Sequence, residues 1–163
     1  MEFLLPFASS ENLEILTKLI VALVFGAVLG LERVFARRTA GVRTYALVSM
    51  GSALFVLIGE LVTRGYLEQS LPTDVDSLRI ASNIVVGVGF LGAGVIVFKD
   101  SALSGLTTAA GLWVSAAIGV AVGFGHYAAG FIATLLTLFI FTVLWYVEFG
   151  LLKFHDTTKD FER

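Results

Sequence analysis

The sequence predicts an all-α integral membrane bundle of five transmembrane helices, and three observations carry that prediction. Uncharged apolar runs cover Ile80 to Phe98 (19 residues), Leu106 to Phe124 (19) and Tyr127 to Val147 (21), and a helix needs about 20 apolar residues to cross the hydrocarbon. Two further runs, Leu13 to Leu31 and Tyr45 to Val62, carry charge only at their ends, including Lys18 and Glu60. The composition is 57% hydrophobic and 15% charged, with a mean hydropathy of +0.91, well above the range of soluble domains.

The spans are expected at residues 13–33, 43–63, 79–98, 104–124 and 127–149, followed by a short tail over 150–163. In span one, Ala22, Gly26 and Gly30 form one stripe, and small residues four apart let helix backbones meet in lipid. Span two opens among arginines, and its Glu60, like Lys18 of span one, is expected to snorkel to the interface. Span three has two small faces, one with Asn83, Gly87 and Gly94 and the other with Ser82, Gly89 and Ala93. That pattern predicts a central helix. Span four lines up Gly105, Ala109, Ala116, Gly119 and Gly123. Span five is bulky, with Phe131, Leu135, Leu136, Leu138, Phe139, Ile140 and Phe141, and is expected to face lipid. Arg79, Tyr127, Trp145 and Tyr146 suit interfacial anchoring, and Trp113 is expected to pack within the bundle.

Charge sets the orientation. Arg33, Arg37, Arg38 and Arg43 crowd the connection between spans one and two, Lys99 follows span three, and Lys153, Lys159 and Arg163 follow span five, so that these eight of the 11 basic residues fall on one side. The positive-inside rule then puts the N-terminus outside and the C-terminus in the cytoplasm. The opening Met1 to Phe7 has no basic start and is broken by Pro6, so a cleaved signal peptide is not expected. With no cysteine, disulfides and thiolate chemistry are excluded. Neither a nucleic-acid partner nor a cofactor is expected.

At an offset of 64 residues, Gly30 falls on Gly94, Ala40-Gly41-Val42 on Ser104-Gly105-Leu106, Thr44 on Thr108 and Ala46 on Ala110. Helices one and two would then repeat as three and four, in parallel, about an axis along the membrane normal. The halves differ in charge: Glu32, Arg33 and Arg43 of the first correspond to Ile96, Val97 and Thr107 of the second. Gly87-Val-Gly89-Phe-Leu-Gly92 matches a dinucleotide fingerprint, but inside a membrane span, without a preceding strand or a following acidic residue, it reads as helix packing. His126 and His155 lie outside the spans, so the intramembrane serines and threonines have no base partner and no enzyme is expected.

Gly30-Leu-Glu-Arg33 with Ala40-Gly-Val-Arg-Thr44, Arg79-Ile-Ala81 followed by Gly87-Val-Gly-Phe-Leu-Gly-Ala-Gly-Val-Ile96, and Gly105-Leu-Thr-Thr-Ala-Ala110 with Leu112-Trp113 together resemble the MgtC/SapB family of bacterial inner-membrane proteins, over residues 15 to 147. The resemblance implies a five-span membrane module acting in adaptation to low magnesium or acid stress, and in virulence. It implies either magnesium transport or regulation of another inner-membrane protein, such as the F-type ATP synthase or a magnesium pump. Larger members carry a soluble domain after the last span, for which about 14 residues stand here.

Glu32, Arg33, Arg43 and Asp100 lie at the cytoplasmic ends of spans one to three, where ionisable groups are usually paired and functional, and a Glu32–Arg43 ion pair is expected. The alternative is that the arginines fix topology and touch anionic lipid. Asn83 is either inter-helix glue or a polar site. It stands with Gly87, Gly89, Gly92, Gly94, Thr107, Thr108 and Trp113 as a polar or packing site. Magnesium would be the transported or sensed ion. It needs oxygen ligands, commonly carboxylates, and the middle of spans three to five has none, although a hydrated ion passing backbone carbonyls near Gly92 to Gly94 stays open. Three roles fit: an ion-conducting bundle, a non-transporting module that restrains another membrane protein, and an oligomeric scaffold in the bilayer. The second small face of span three suits a homodimer as well as internal packing.

Overall fold

A computed structural model describes residues 9–68, 77–99 and 102–147. Five helices are long and apolar enough to cross a membrane: α1 (Ser10–Phe35), α2 (Val42–Glu68), α3 (Ser77–Val95), α4 (Leu106–Gly123) and α5, which starts at Tyr127 and runs as α-helix to Phe139. A π-helical segment, Ile140–Leu144, continues α5, and the span reaches Val147. Two short antiparallel strands, β1 (Val97–Lys99) and β2 (Ala102–Ser104), join α3 to α4.

The helix ends follow local chemistry. Ser9 caps α1, its hydroxyl accepting from the Asn12 amide at 3.3 Å. At the other end of α1, the Arg37 amide donates to Val34 and the Arg38 amide to Arg33, at 3.0 and 2.9 Å. This is the crossed pair of a Schellman motif, with Arg37 at φ 54 where glycine is usual. The α4–α5 turn repeats the motif with Gly125 at φ 81, the His126 amide reaching Ala121 and the Gly125 amide Val122. Here the turn has its glycine.

The third span ends sooner than expected. Helix was anticipated to residue 98, but α3 stops at Val95, and Val97, Phe98 and Lys99 pair with Ser104, Leu103 and Ala102. The β-branched run Val95-Ile96-Val97 favours extended backbone, and Gly105 enters α4 at φ 89, against the Val95 carbonyl. Of the expected repeat, one trace is visible: α2 and α4 begin at Val42 and Leu106, the pair that the offset aligns. The halves then diverge. Gly30 is pressed on Val42, whereas Gly94 has open space beside it.

Helix packing confirms two small faces and corrects a third. Ala22, Gly26 and Gly30 are buried; a Cβ on Gly26 would lie 2.5 Å from the Tyr45 carbonyl oxygen and 2.8 Å from Ser49 Cβ. Gly119 meets the Ser49 carbonyl, and a Cβ on Gly123 would lie 2.8 Å from Val56 Cβ. These glycines let α1, α2 and α4 close to backbone contact, and α4 touches every other helix. The central helix is thus α4, half of its span buried against 11% for α3. Helix α3, expected at the centre, lies to one side: a Cβ on Gly87, Gly89 or Gly94 would meet no atom within 4 Å. The helix packs at its margins, with Gly92 on Ala109, Ile80 under Gly59, Val88 buried and Val95 against the core, while Leu78, Val86 and Phe90 are exposed.

Around α4 the core gathers Leu29, Tyr45, Leu112, Ile118 and Phe141 in one cluster and Ala22, Ala53 and Val122 in another. Most of α5's bulky side chains face outward as expected, among them Phe131, Leu135, Leu136 and Phe139. Phe141 does not, being buried against Tyr45. Trp113 is also reversed, standing half exposed in place of the expected packing.

At the end of the bundle opposite the arginines, Lys18 does not snorkel. It is buried, with Nζ 3.0 Å from Glu14 of its own helix and 3.4 Å from Glu60 of α2. Lys18 and Glu60 sit at matching distances from the α1–α2 turn, so antiparallel pairing brings them level. Each then neutralises a charge that the bilayer would penalise. Near them Arg64 and Glu11 pair more loosely, at 3.8 Å.

Two outcomes follow for thermal melting in detergent. Gly26→Leu and Gly119→Leu should each lower stability by about 1–3 kcal/mol or more, through forced separation of packed backbones, while Gly87→Leu and Gly94→Leu should stay within about 0.5 kcal/mol of the parent. Equal losses at all four positions would refute the placement of α3. Lys18→Met should melt lower because it strands Glu60, and the double variant Lys18→Met/Glu60→Leu should recover most of the loss, since removing a buried pair whole costs less than breaking it.

Candidate functional site

The stripe of α1 that carries Ala22, Gly26 and Gly30 continues to Arg33, so helical spacing drives a guanidinium into the bundle. Arg33 is 3% exposed. Its Nε donates to the Glu32 carboxylate and its Nη2 to the Phe141 carbonyl, at 3.5 Å, with Cζ 3.5 Å above the centre of the Phe141 ring. A buried guanidinium costs several kcal/mol unless paired. Stacking on an aromatic returns about 0.5–2 kcal/mol, and the carboxylate carries the remainder of the compensation.

Tyr45 packs on the same ring. It is fully buried, meets Phe141 edge-on with ring centres 6.5 Å apart, and donates its hydroxyl to the Thr108 carbonyl at 3.3 Å. Its own carbonyl accepts from Ser115 Oγ at 2.9 Å. A side chain on Gly111 would strike both rings, its Cβ only 2.6 Å from Phe141 Cζ, so the bare backbone there is what admits the pair. One turn along α2, the buried Ser49 Oγ has no hydrogen-bond partner among the described residues. Four elements therefore converge on one buried network: α1 through Glu32 and Arg33, α2 through Tyr45, α4 through Thr108, Gly111 and Ser115, and α5 through its π segment.

Of the residues singled out in the sequence, Glu32, Arg33 and Thr108 lie in this network. The expected Glu32–Arg43 pair is not formed: Glu32 binds Arg33, and Arg43 is exposed and joins no ion pair among the described residues. Arg43 stands two residues before the inward Tyr45, about 200° round the helix, and cannot face the same interior. Thr107 is exposed beside the buried Thr108. Asp100 lies outside the described residues. Tyr45, Phe141 and Ser115 were not anticipated. Tyr45 lies on the inward stripe Ser49, Ser52 and Val56 of α2, and Phe141 on the inward stripe Gly130, Thr134 and Thr137 of α5, so both were discoverable by spacing.

Asn83 and Gly87 line a different feature. Between α2 and α3 runs an open, mainly apolar groove of about 620 Å³, walled by Leu47, Gly51 and Phe55 on one side and Ile84, Gly87 and Leu91 on the other. Gly51 and Gly87 leave open space in it, and the exposed Asn83 amide makes no hydrogen bond among the described residues. Among those residues, no three His, Asp or Glu side chains are grouped so as to hold a metal ion.

Tyr45→Phe should lower stability by about 1 kcal/mol, the usual worth of one hydrogen bond, and Tyr45→Ala by about 3–5 kcal/mol through the cavity left beneath Phe141. Calorimetric melting of the purified variants checks both, and a neutral Tyr45→Ala would show that the network is not part of the core.

Known proteins are similar to this chain in sequence. A family model described as MgtC family matches residues 19–149. Protein MgtC of Salmonella typhimurium is 45% identical over 121 residues, covering 74% of this chain and 48% of that protein. The putative magnesium transporter YhiD of Escherichia coli is 38% identical over 140 residues, covering 86% and 65%, and a Haemophilus influenzae protein is 40% identical over 129, covering 78% and 54%. The chain thus spans about half to two thirds of the length of these relatives. No solved structure matches it. With a family match over most of the spans, relatives at this identity and five helices fit to cross a bilayer, the chain belongs to the MgtC family and is a multi-pass bacterial membrane protein.

Proposed function

We propose that this protein acts in magnesium homeostasis in the bacterial inner membrane as a non-transporting module, taking one transmembrane helix of another membrane protein into the α2–α3 groove. The observation that carries this reading is the groove itself: an apolar channel at membrane depth, widened by Gly51 and Gly87 and carrying one lone amide, Asn83. Small residues permit close approach of a second helix, and an amide in lipid gains most from a polar side chain on a neighbour. The clustering of arginines supports an N-terminus outside and a C-terminus in the cytoplasm.

A second reading, ion transport, is favoured by the printed name of the Escherichia coli relative, a putative magnesium transporter. The two part company in protein-only liposomes. The module predicts Mg²⁺ entry no faster than into empty vesicles, together with loss of growth in low magnesium for Asn83→Leu and for Gly87→Leu at normal protein levels, and a photo-crosslinker at position 87 that captures a partner segment. Mg²⁺ entry that depends on the protein, and is abolished by Glu32→Gln, would establish transport and end the module reading.

A further inference from the structure

The groove between α2 and α3 is closed at the Lys18 end, where Ile80 fills the space beside Gly59. Toward the arginine end α3 is held by α4 instead, with Gly92 on Ala109, and the groove opens. Counted from Gly59 and Ile80 along the antiparallel helices, Val48 and Leu91 come level, and both line the groove. Its wall on α2, from Leu47 to Phe55, rises about 12 Å. That approaches the depth of one leaflet, half of a hydrocarbon core about 30 Å thick.

A charge stands where the groove opens. Arg43 lies one turn before Leu47 and Thr44 one turn before Val48, so the first turn of α2 forms the rim. Both side chains are exposed, and neither makes an ion pair or a side-chain hydrogen bond among the described residues. A guanidinium at the membrane edge pairs best with phosphate, which takes its fork through two parallel hydrogen bonds. We propose that the groove holds one anionic glycerophospholipid, its phosphate on Arg43 and Thr44 and one acyl chain lying between α2 and α3 as far as Phe55 and Ile84. A zwitterionic headgroup carries its own ammonium beside the phosphate, so the anionic lipid is preferred. Arg37 and Arg38, also exposed, meet headgroups of the same leaflet with no channel behind them. The lipid keeps the groove filled until a helix takes its place, a step that rests on the module reading; the lipid site itself needs no partner.

Native mass spectrometry of the full-length protein, released from membranes of phosphatidylglycerol and phosphatidylethanolamine with identical chains, reads the site with no partner protein present. The wild type should retain one phosphatidylglycerol per chain in preference to phosphatidylethanolamine. Arg43→Gln should cut that preference about fivefold, the worth of one arginine near an anionic surface, while Arg37→Gln leaves it unchanged. Gly51→Leu and Gly87→Leu, each built into open space, should remove the retained lipid of either kind although every arginine is still in place. Wild-type retention in these two folded variants would reduce the site to a shell of headgroups and overturn the proposal. So would equal retention of the two lipids by the wild type, a wild-type preference in Arg43→Gln, or equal losses for Arg37→Gln and Arg43→Gln. Partner capture at position 87, measured separately, can fail without changing any of these outcomes.

Discussion

The fold depends on one clasp of backbone. The turn of α2 from Tyr45 to Ser49 is held between a glycine of α1 and a glycine of α4: Gly26 lies on the Tyr45 carbonyl and Gly119 on the Ser49 carbonyl. In lipid no hydrophobic effect drives helices together, so attraction must come from dispersion and polar contacts at short range, and short range requires missing side chains. Everything else follows from that closeness. It puts Ser115 within reach of the Tyr45 carbonyl, holds the tyrosine ring against Gly111, and leaves Arg33 directed into a space that only Phe141 and Glu32 can make tolerable.

The two ends of the bundle solve the same problem differently. At one end Lys18 finds carboxylates on its own helix and on the next, an arrangement in which charges neutralise one another. At the other, Arg33 has one carboxylate, beside it in sequence, and leans for the rest on an aromatic face and a main-chain oxygen. The first ties α1 to α2 alone. The second reaches across the bundle and ties α1 to α5.

The spans were legible because length and apolar composition are all that a bilayer asks of them, and the stripes of α1 and α4 because glycine at helical spacing has few other uses in lipid. The error at α3 has a physical origin. A smooth face permits approach but does not compel it, and nothing in Asn83, Gly87 or Gly94 says whether the opposing surface belongs to this chain or to something else. The Glu32–Arg43 pairing failed for a similar reason: proximity to the same membrane edge was mistaken for facing the same way, when two positions along a helix point to opposite sides. Phe141 was missed because its bulk reads as lipid-facing, although it continues the buried stripe Gly130, Thr134 and Thr137 at helical spacing.

The slight attachment of α3 has a consequence in time as well as in space. Chains enter a membrane in order, and α3 precedes α4, yet Gly92 rests on Ala109 of α4, a surface that does not exist when α3 arrives. Until α4 is made, α3 rests mainly on α2, with Ile80 against Gly59. The central helix α4 then enters after α1, α2 and α3, and α5 alone of the five spans follows it. The β1–β2 hairpin returns the chain from α3 directly into α4, so the central helix arrives beside the helix whose Gly92 it receives.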